Sequence, residues 1–165
     1  MIHYEPGTLG FLDITFGPKW DYIPLTRNYI ENFLAVNYTD KLNINKIAMS
    51  ASELLENAVK YSSKDGIRTQ IRKFEGSHQI ELVVFNSLKK EDATKVLAYI
   101  EEINNAPDPF LFYVTKMKES VKRNDGKAGL GLARIKHEGN ADVSAKYFPD
   151  TEITGILEVK AIFNF

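Results

Sequence analysis

The sequence contains no cysteine in its 165 residues. That excludes disulfides, thiolate zinc sites and a cysteine nucleophile, and it suits a reducing compartment. Histidine is almost as scarce: His3, His78 and His137 form no HExxH or HxH pair, so no histidine-built metal site is expected. A charge excess is missing too. Lys+Arg 21 against Asp+Glu 22 leaves a net −1, and the broad positive field that non-specific nucleic-acid binding needs is therefore absent. The longest apolar runs, Phe110 to Val114 and Leu82 to Phe85, fall far short of the ~20 residues that cross a bilayer. The opening MIHYEPGTLG has neither the basic start nor the apolar stretch of a signal peptide. The expectation is a cytoplasmic protein with no membrane and no nucleic-acid partner.

What is present is globular. A content of 44% hydrophobic, 12% aromatic and 26% charged residues excludes wholesale disorder. A chain this long is expected to form one domain, residues 1–165, burying roughly 68–70% of its unfolded surface.

Thr8 to Phe16 alternates and is rich in β-branched and aromatic residues, which predicts a strand ended by Gly17-Pro18. From Pro24, a residue tolerated in a first helical turn, apolar positions at three- and four-residue spacing predict a helix to about Val36. Asn37 to Asn43 reads as a loop. Ile44, Ile47, Ala48, Ala51, Leu54, Leu55, Ala58 and Val59 then mark a helix from about Ile44 to Tyr61. Strands Ile67 to Phe74 and Gln79 to Phe85 read as a hairpin. A polar helical region follows, roughly residues 89–128, with helices Glu91 to Asn104 and Pro109 to Lys122 interrupted by Pro107 and Pro109. A glycine-containing loop, Arg123 to Gly129, opens a short helix, Leu130 to Glu138, that Gly139 closes as a C-terminal cap. Strands Asp142 to Phe148 and Ile153 to Phe163 end the chain. This order predicts an α+β two-layer sandwich, a mixed or antiparallel sheet with helices on one face.

On the long helix, residues placed about 100° apart gather Glu53, Asn57 and Lys60 opposite the apolar stripe. Such a trio is most often just a solvated helix face. Asparagine, however, is a poor interior helix residue because its side chain competes for backbone hydrogen bonds, and a local mismatch of this kind is what a functional role leaves behind. An amide oxygen suits Mg²⁺, and a carboxylate nearby can take a proton from a hydroxyl or water. The second constellation is Asn124 to Leu132, NDGKAGLGL. Its glycines allow close backbone approach, and the helix beginning there offers its positive end to phosphate. Alone it is weak: it is neither a dinucleotide fingerprint nor a Walker loop, and a structural loop explains it as well.

Together, ELLENAVKYS (Glu53 to Ser62) and GKAGLGLARI (Gly126 to Ile135) resemble the GHKL (Bergerat-fold) ATP-binding domain, over most of the chain and in the family's element order. The resemblance implies that Asn57 binds Mg²⁺, that Glu53 is the general base, and that Lys60 lies near the phosphates of ATP. It implies that Gly126, Lys127, Gly129, Leu130 and Gly131 wrap the triphosphate as part of the lid. One element departs. The family's D-x-G-x-G, whose aspartate accepts from the adenine amine, is here Asn86-Ser87-Leu88. Asn86 can accept only as a neutral group, which is weaker, and Leu88 is expected to stiffen a turn that glycine leaves open.

Glu53 stands where sensor histidine kinases usually carry asparagine, and a domain of this size on its own resembles the anti-sigma-factor serine/threonine kinases, including SiaB-like members. That resemblance implies phosphorylation or sequestration of a STAS-domain anti-sigma-factor antagonist, or of a sigma-like regulator, in partner switching, and a homodimer. The alternative is a non-catalytic binding module with a degenerate nucleotide site, docking partners through its first helix and its lid. Trp20, Tyr22, Phe33, Phe110, Phe112 and Tyr113 are expected in core or interface, Lys116, Lys118, Lys122, Arg123 and Lys127 on a solvated lid face, and His78 and His137 at the surface.

Overall fold

The structure, a computed structural model, describes residues 8–36, 38–62, 65–74, 76–123 and 129–165. Strands β1 (Thr8–Phe16), β2 (Ile67–Phe74), β3 (Gln79–Lys89), β4 (Ala141–Pro149) and β5 (Thr154–Asn164) form a five-stranded sheet in the order β1-β2-β3-β5-β4. Every pairing is antiparallel. Because successive strand residues point to opposite faces, register decides what is buried. The pairs Ile80↔Phe163, Leu82↔Ala161 and Val84↔Val159 set apolar residues side by side on one face, and all six are buried. Helices α1 (Tyr22–Ala35), α2 (Lys41–Tyr61), α3 (Lys90–Asn105), α4 (Pro109–Arg123) and α5 (Leu130–His137) make up the second layer. The expected α+β sandwich is present.

Helix α2 is the spine of that layer. It starts three residues before the expected Ile44, at Lys41, because the Asp40 carboxylate accepts from the backbone N–H groups of Leu42 (2.9 Å) and Asn43 (3.4 Å). Its buried stripe runs from Ile44 to Val59, with Ala51 and Leu55 both fully enclosed; burial of a leucine such as Leu55 contributes roughly 1.5–3 kcal/mol. On the open face of the sheet, the Asp13 carboxylate accepts from Arg68 (2.9 Å, Nε) and Gln70 (3.0 Å), and Gln70 in turn accepts from Arg72.

Two expectations need correction. Strand β3 does not stop at Phe85: Asn86, Ser87 and Leu88 pair with Leu157, Ile156 and Gly155, since β5 is long enough to offer partners as far as Lys89. Leu88 therefore stiffens no turn; it is a core residue, 1% exposed. Gly139 is no left-handed cap either. The positive φ belongs to Asn140 (51°), and Gly139 is needed for close approach: a Cβ there would lie 2.5 Å from the Ile135 carbonyl oxygen and 2.9 Å from Ser50 Oγ.

Candidate functional site

Between α2, β3, β5, α3 and the head of α5 lies a cavity of about 190 Å³. Its walls are mainly aliphatic, from Leu54, Ala58, Val84, Leu88, Leu157 and Val159, with Asn57, Tyr61, Asn86, Asp92, Lys95 and Tyr99 as the side chains that carry polar groups and Gly129 also in the lining. A largely apolar cavity with a few convergent polar groups is the usual form of a small-molecule site.

Asn86 is the deepest of these polar groups. The strand alternation that buries Val84 and Leu88 turns its amide inward as well, and it is 5% exposed. Its side chain makes no hydrogen bond to any described residue, nor does that of half-buried Asn57 one helix away. Both amides open onto the cavity and are available to a ligand there, and among the described residues the cavity-lining side-chain atom that is buried without a hydrogen-bond partner is the Tyr99 hydroxyl.

Glu53 sits one turn before Asn57 and packs against the first turn of α5. A Cβ on Gly131 would come within 2.6 Å of the Glu53 Oε2 atom, so glycine is what admits the carboxylate. Glu53 accepts from Arg134 at 2.8 Å, and Arg134 also donates to Glu138 at 2.7 Å. Those two hydrogen bonds, Glu138 first and Glu53 second, raise the Arg134 pKa further above its ordinary range. Gly129 begins α5 in the left-handed conformation, φ 80°, which glycine adopts freely.

The helical stripe and the glycine segment thus meet. Asn57, Asn86 and Gly129 line the cavity, while Glu53 and Gly131 touch each other at the α2–α5 contact. Lys60 does not join them: it is exposed, with its ammonium 5.3 Å from the Tyr61 ring centroid. Half-buried Leu130 does not line the cavity either, and Gly126 and Lys127 lie outside the described residues. Among the described residues no group of His, Asp and Glu is arranged to hold a metal ion.

Sequence reasoning missed the contribution of α3. Asp92, Lys95, Val96 and Tyr99 recur at three- and four-residue spacing and face the cavity together; a helix read only as polar hid that stripe. Asp92 and Lys95 pair at 3.5 Å. Burial, and then the charges of Glu102 and Glu119, push the Tyr99 hydroxyl up to about 12. Lys116 is not on a solvated lid face. It bonds Glu102 at 2.9 Å and lies over the rings of Phe112 and Tyr99, and that bond to Glu102 is the main cause of its raised pKa. His137 is half-buried, with ring centroids 5.1 Å from Phe110 and 5.8 Å from Tyr113. Trp20 and Phe110 stay exposed, whereas Phe33, Phe112 and Tyr113 pack against the core.

No helix among the described residues is long and apolar enough to cross a membrane. No protein-family model matches the sequence, and no curated protein matches it. Among solved structures the chain is similar in fold to a chain of the SiaB–SiaC complex from Pseudomonas aeruginosa, with a TM-score of 0.71 and 16% identity. The likeness covers 95% of this chain and 91% of that one, so it spans the whole sandwich.

Proposed function

We propose that this chain is an ATP-dependent serine/threonine protein kinase of the anti-sigma-factor type, with a GHKL-like site, acting on a STAS-domain partner or sequestering it in a partner-switching pathway. One observation carries the reading: a single cavity receives an unpaired amide from α2, an unpaired amide from β3 and the left-handed glycine at the head of α5. The base of ATP occupies the aliphatic part against Asn86, and the phosphates leave toward Gly129 and the positive end of α5. The free Asn57 oxygen fits Mg²⁺, which takes one or two protein oxygens and completes its shell with phosphate and water. When bound, that ion offsets charge on the triphosphate. Glu53, one turn from Asn57, takes the proton of the partner's hydroxyl once Arg134 turns fully to Glu138. The neighbouring structure is a complex of two proteins, which supports a protein partner. Edge strand β1 offers free backbone for a two-fold homodimer.

The test is phosphotransfer from labelled ATP with Mg²⁺ to a candidate STAS-domain protein. Wild type transfers label, and Glu53→Gln loses about 10²-fold or more. Label that moves equally well in Glu53→Gln removes Glu53 from the role. A second reading, a non-catalytic binding module, is favoured by the Arg134 ion pair that occupies Glu53. Partner binding that survives Asn57→Ala, with no label transfer from wild type, selects it.

A further inference from the structure

The residue at the deep end of the cavity determines which base fits there. A carboxylate in that place accepts hydrogen bonds only, so it can pair with the adenine 6-amine or the guanine N1–H but can donate to neither base. Asn86 is different. Its amide carries an acceptor on one side and a donor on the other, and the two exchange places by a half-turn about the Cβ–Cγ bond. In most buried asparagines a neighbouring group locks one orientation. At Asn86, 5% exposed and bonded through its side chain to no described residue, nothing does so. The surrounding Val84, Leu88, Leu157 and Val159 side chains are aliphatic and supply no polar contact that ranks one purine above another.

Resting on the nucleotide reading above, we infer that this site accepts guanine as well as adenine nucleotides, with Asn86 as the adaptable reader of the purine edge. In one orientation the Asn86 oxygen accepts from the adenine 6-amine and its nitrogen donates to N1. In the other, the nitrogen donates to the guanine 6-carbonyl and the oxygen accepts from N1–H. Both purines thereby make the same two bonds to Asn86, and the 2-amine that guanine alone carries lies beside its N1–H, next to the accepting Asn86 oxygen. Asp92 also lines the cavity, but it is paired with Lys95 at 3.5 Å and its side chain is 32% exposed, so it stands nearer the mouth than Asn86.

The experiment is calorimetric titration of Mg·ATP and Mg·GTP into wild type, Asn86→Asp and Asp92→Asn, with each variant's melting curve taken as a folding control. Wild type binds the two nucleotides within about tenfold of each other. Asn86→Asp accepts but cannot donate, so adenine N1 and the guanine 6-carbonyl each face a carboxylate oxygen, and ATP and GTP are weakened alike by about tenfold or more, the size expected of one mispaired base edge. Asp92→Asn leaves the ratio in place. Wild type that binds ATP about a hundredfold more tightly than GTP overturns this inference and leaves the nucleotide site standing. A preference for ATP that disappears in Asp92→Asn overturns it too, and names Asp92 as the reader. Wild type that binds neither nucleotide overturns both the inference and the function it rests on.

Discussion

Replacing Asn86 by leucine is expected to make the protein more stable and to abolish the nucleotide binding proposed above. A buried polar group without a partner costs about 1–3 kcal/mol, and exchanging it for an apolar group of similar shape recovers that cost. The side chain is 5% exposed and has Val84 and Leu88 as its strand-face neighbours, so leucine continues an aliphatic row already there. The added bulk grows into a cavity of about 190 Å³ rather than into packed atoms, so the overpacking penalty does not arise. Water in the cavity solvates the amide partly, which places the expected gain near the lower part of that range, about 1–2 kcal/mol. For a chain of this size each kcal/mol moves the melting temperature by roughly 2–4 °C, and the shift is therefore upward by about 2–8 °C. Thermal and urea melts read it directly. On the proposed nucleotide reading, the same melts repeated with Mg·ATP are expected to stabilise wild type and not the variant, since leucine makes neither hydrogen bond to the base. A fall of 1 kcal/mol or more in the ligand-free variant would refute the reasoning, because it would mean that the amide is already satisfied.

Gly139→Ala is expected to lose about 1–3 kcal/mol in urea melts, because the added methyl meets the Ile135 carbonyl at 2.5 Å, a backbone atom that cannot swing aside. At alkaline pH, wild type loses stability between about pH 10, the ordinary tyrosine value, and the folded value of about 12 for Tyr99, since the unfolded chain gives up that proton first. Tyr99→Phe should lack this component, read as the difference between the two melting profiles over that range. At the acid end, the hydrogen bond from Arg68 is the main cause that holds Asp13 below its ordinary 3.8. The stability this contributes is complete above pH 3.8 and disappears as pH falls through the lower folded value; Asp13→Asn flattens that part of the acid profile in melts from pH 5 downward.

Much of the fold could be read in the residues because the patterns are periodic. The α2 stripe and the alternation of β5 each carry one period over eight or more residues. The boundaries that shifted did so where a side chain or a partner strand decides. Asp40 caps α2 earlier than the apolar stripe begins, and β5 holds Asn86 to Leu88 in the sheet. Within the site, Asn57 stood out because it is a poor helix former in a good helix. Tyr99 and Asp92 did not, because a cavity wall on α3 has the same spacing as any half-buried helix face. Lys60 was placed with Glu53 and Asn57 by its angle around the helix. Tyr61, one residue further along, does line the cavity, so distance along the axis is not what excludes Lys60: it stands about 60° to the other side of Asn57 from Leu54 and Tyr61, toward solvent.

Arg134 has two carboxylates within reach, one on a neighbouring helix and one on its own. A guanidinium with a single buried partner resists losing it, since departure strands both charges away from water. Here the local carboxylate stays behind as a permanent counter-ion. Loss of Glu53 therefore leaves the Arg134 cation with a counter-ion on its own helix, so the electrostatic cost of breaking that cross-helix bond falls on the carboxylate and not on the guanidinium.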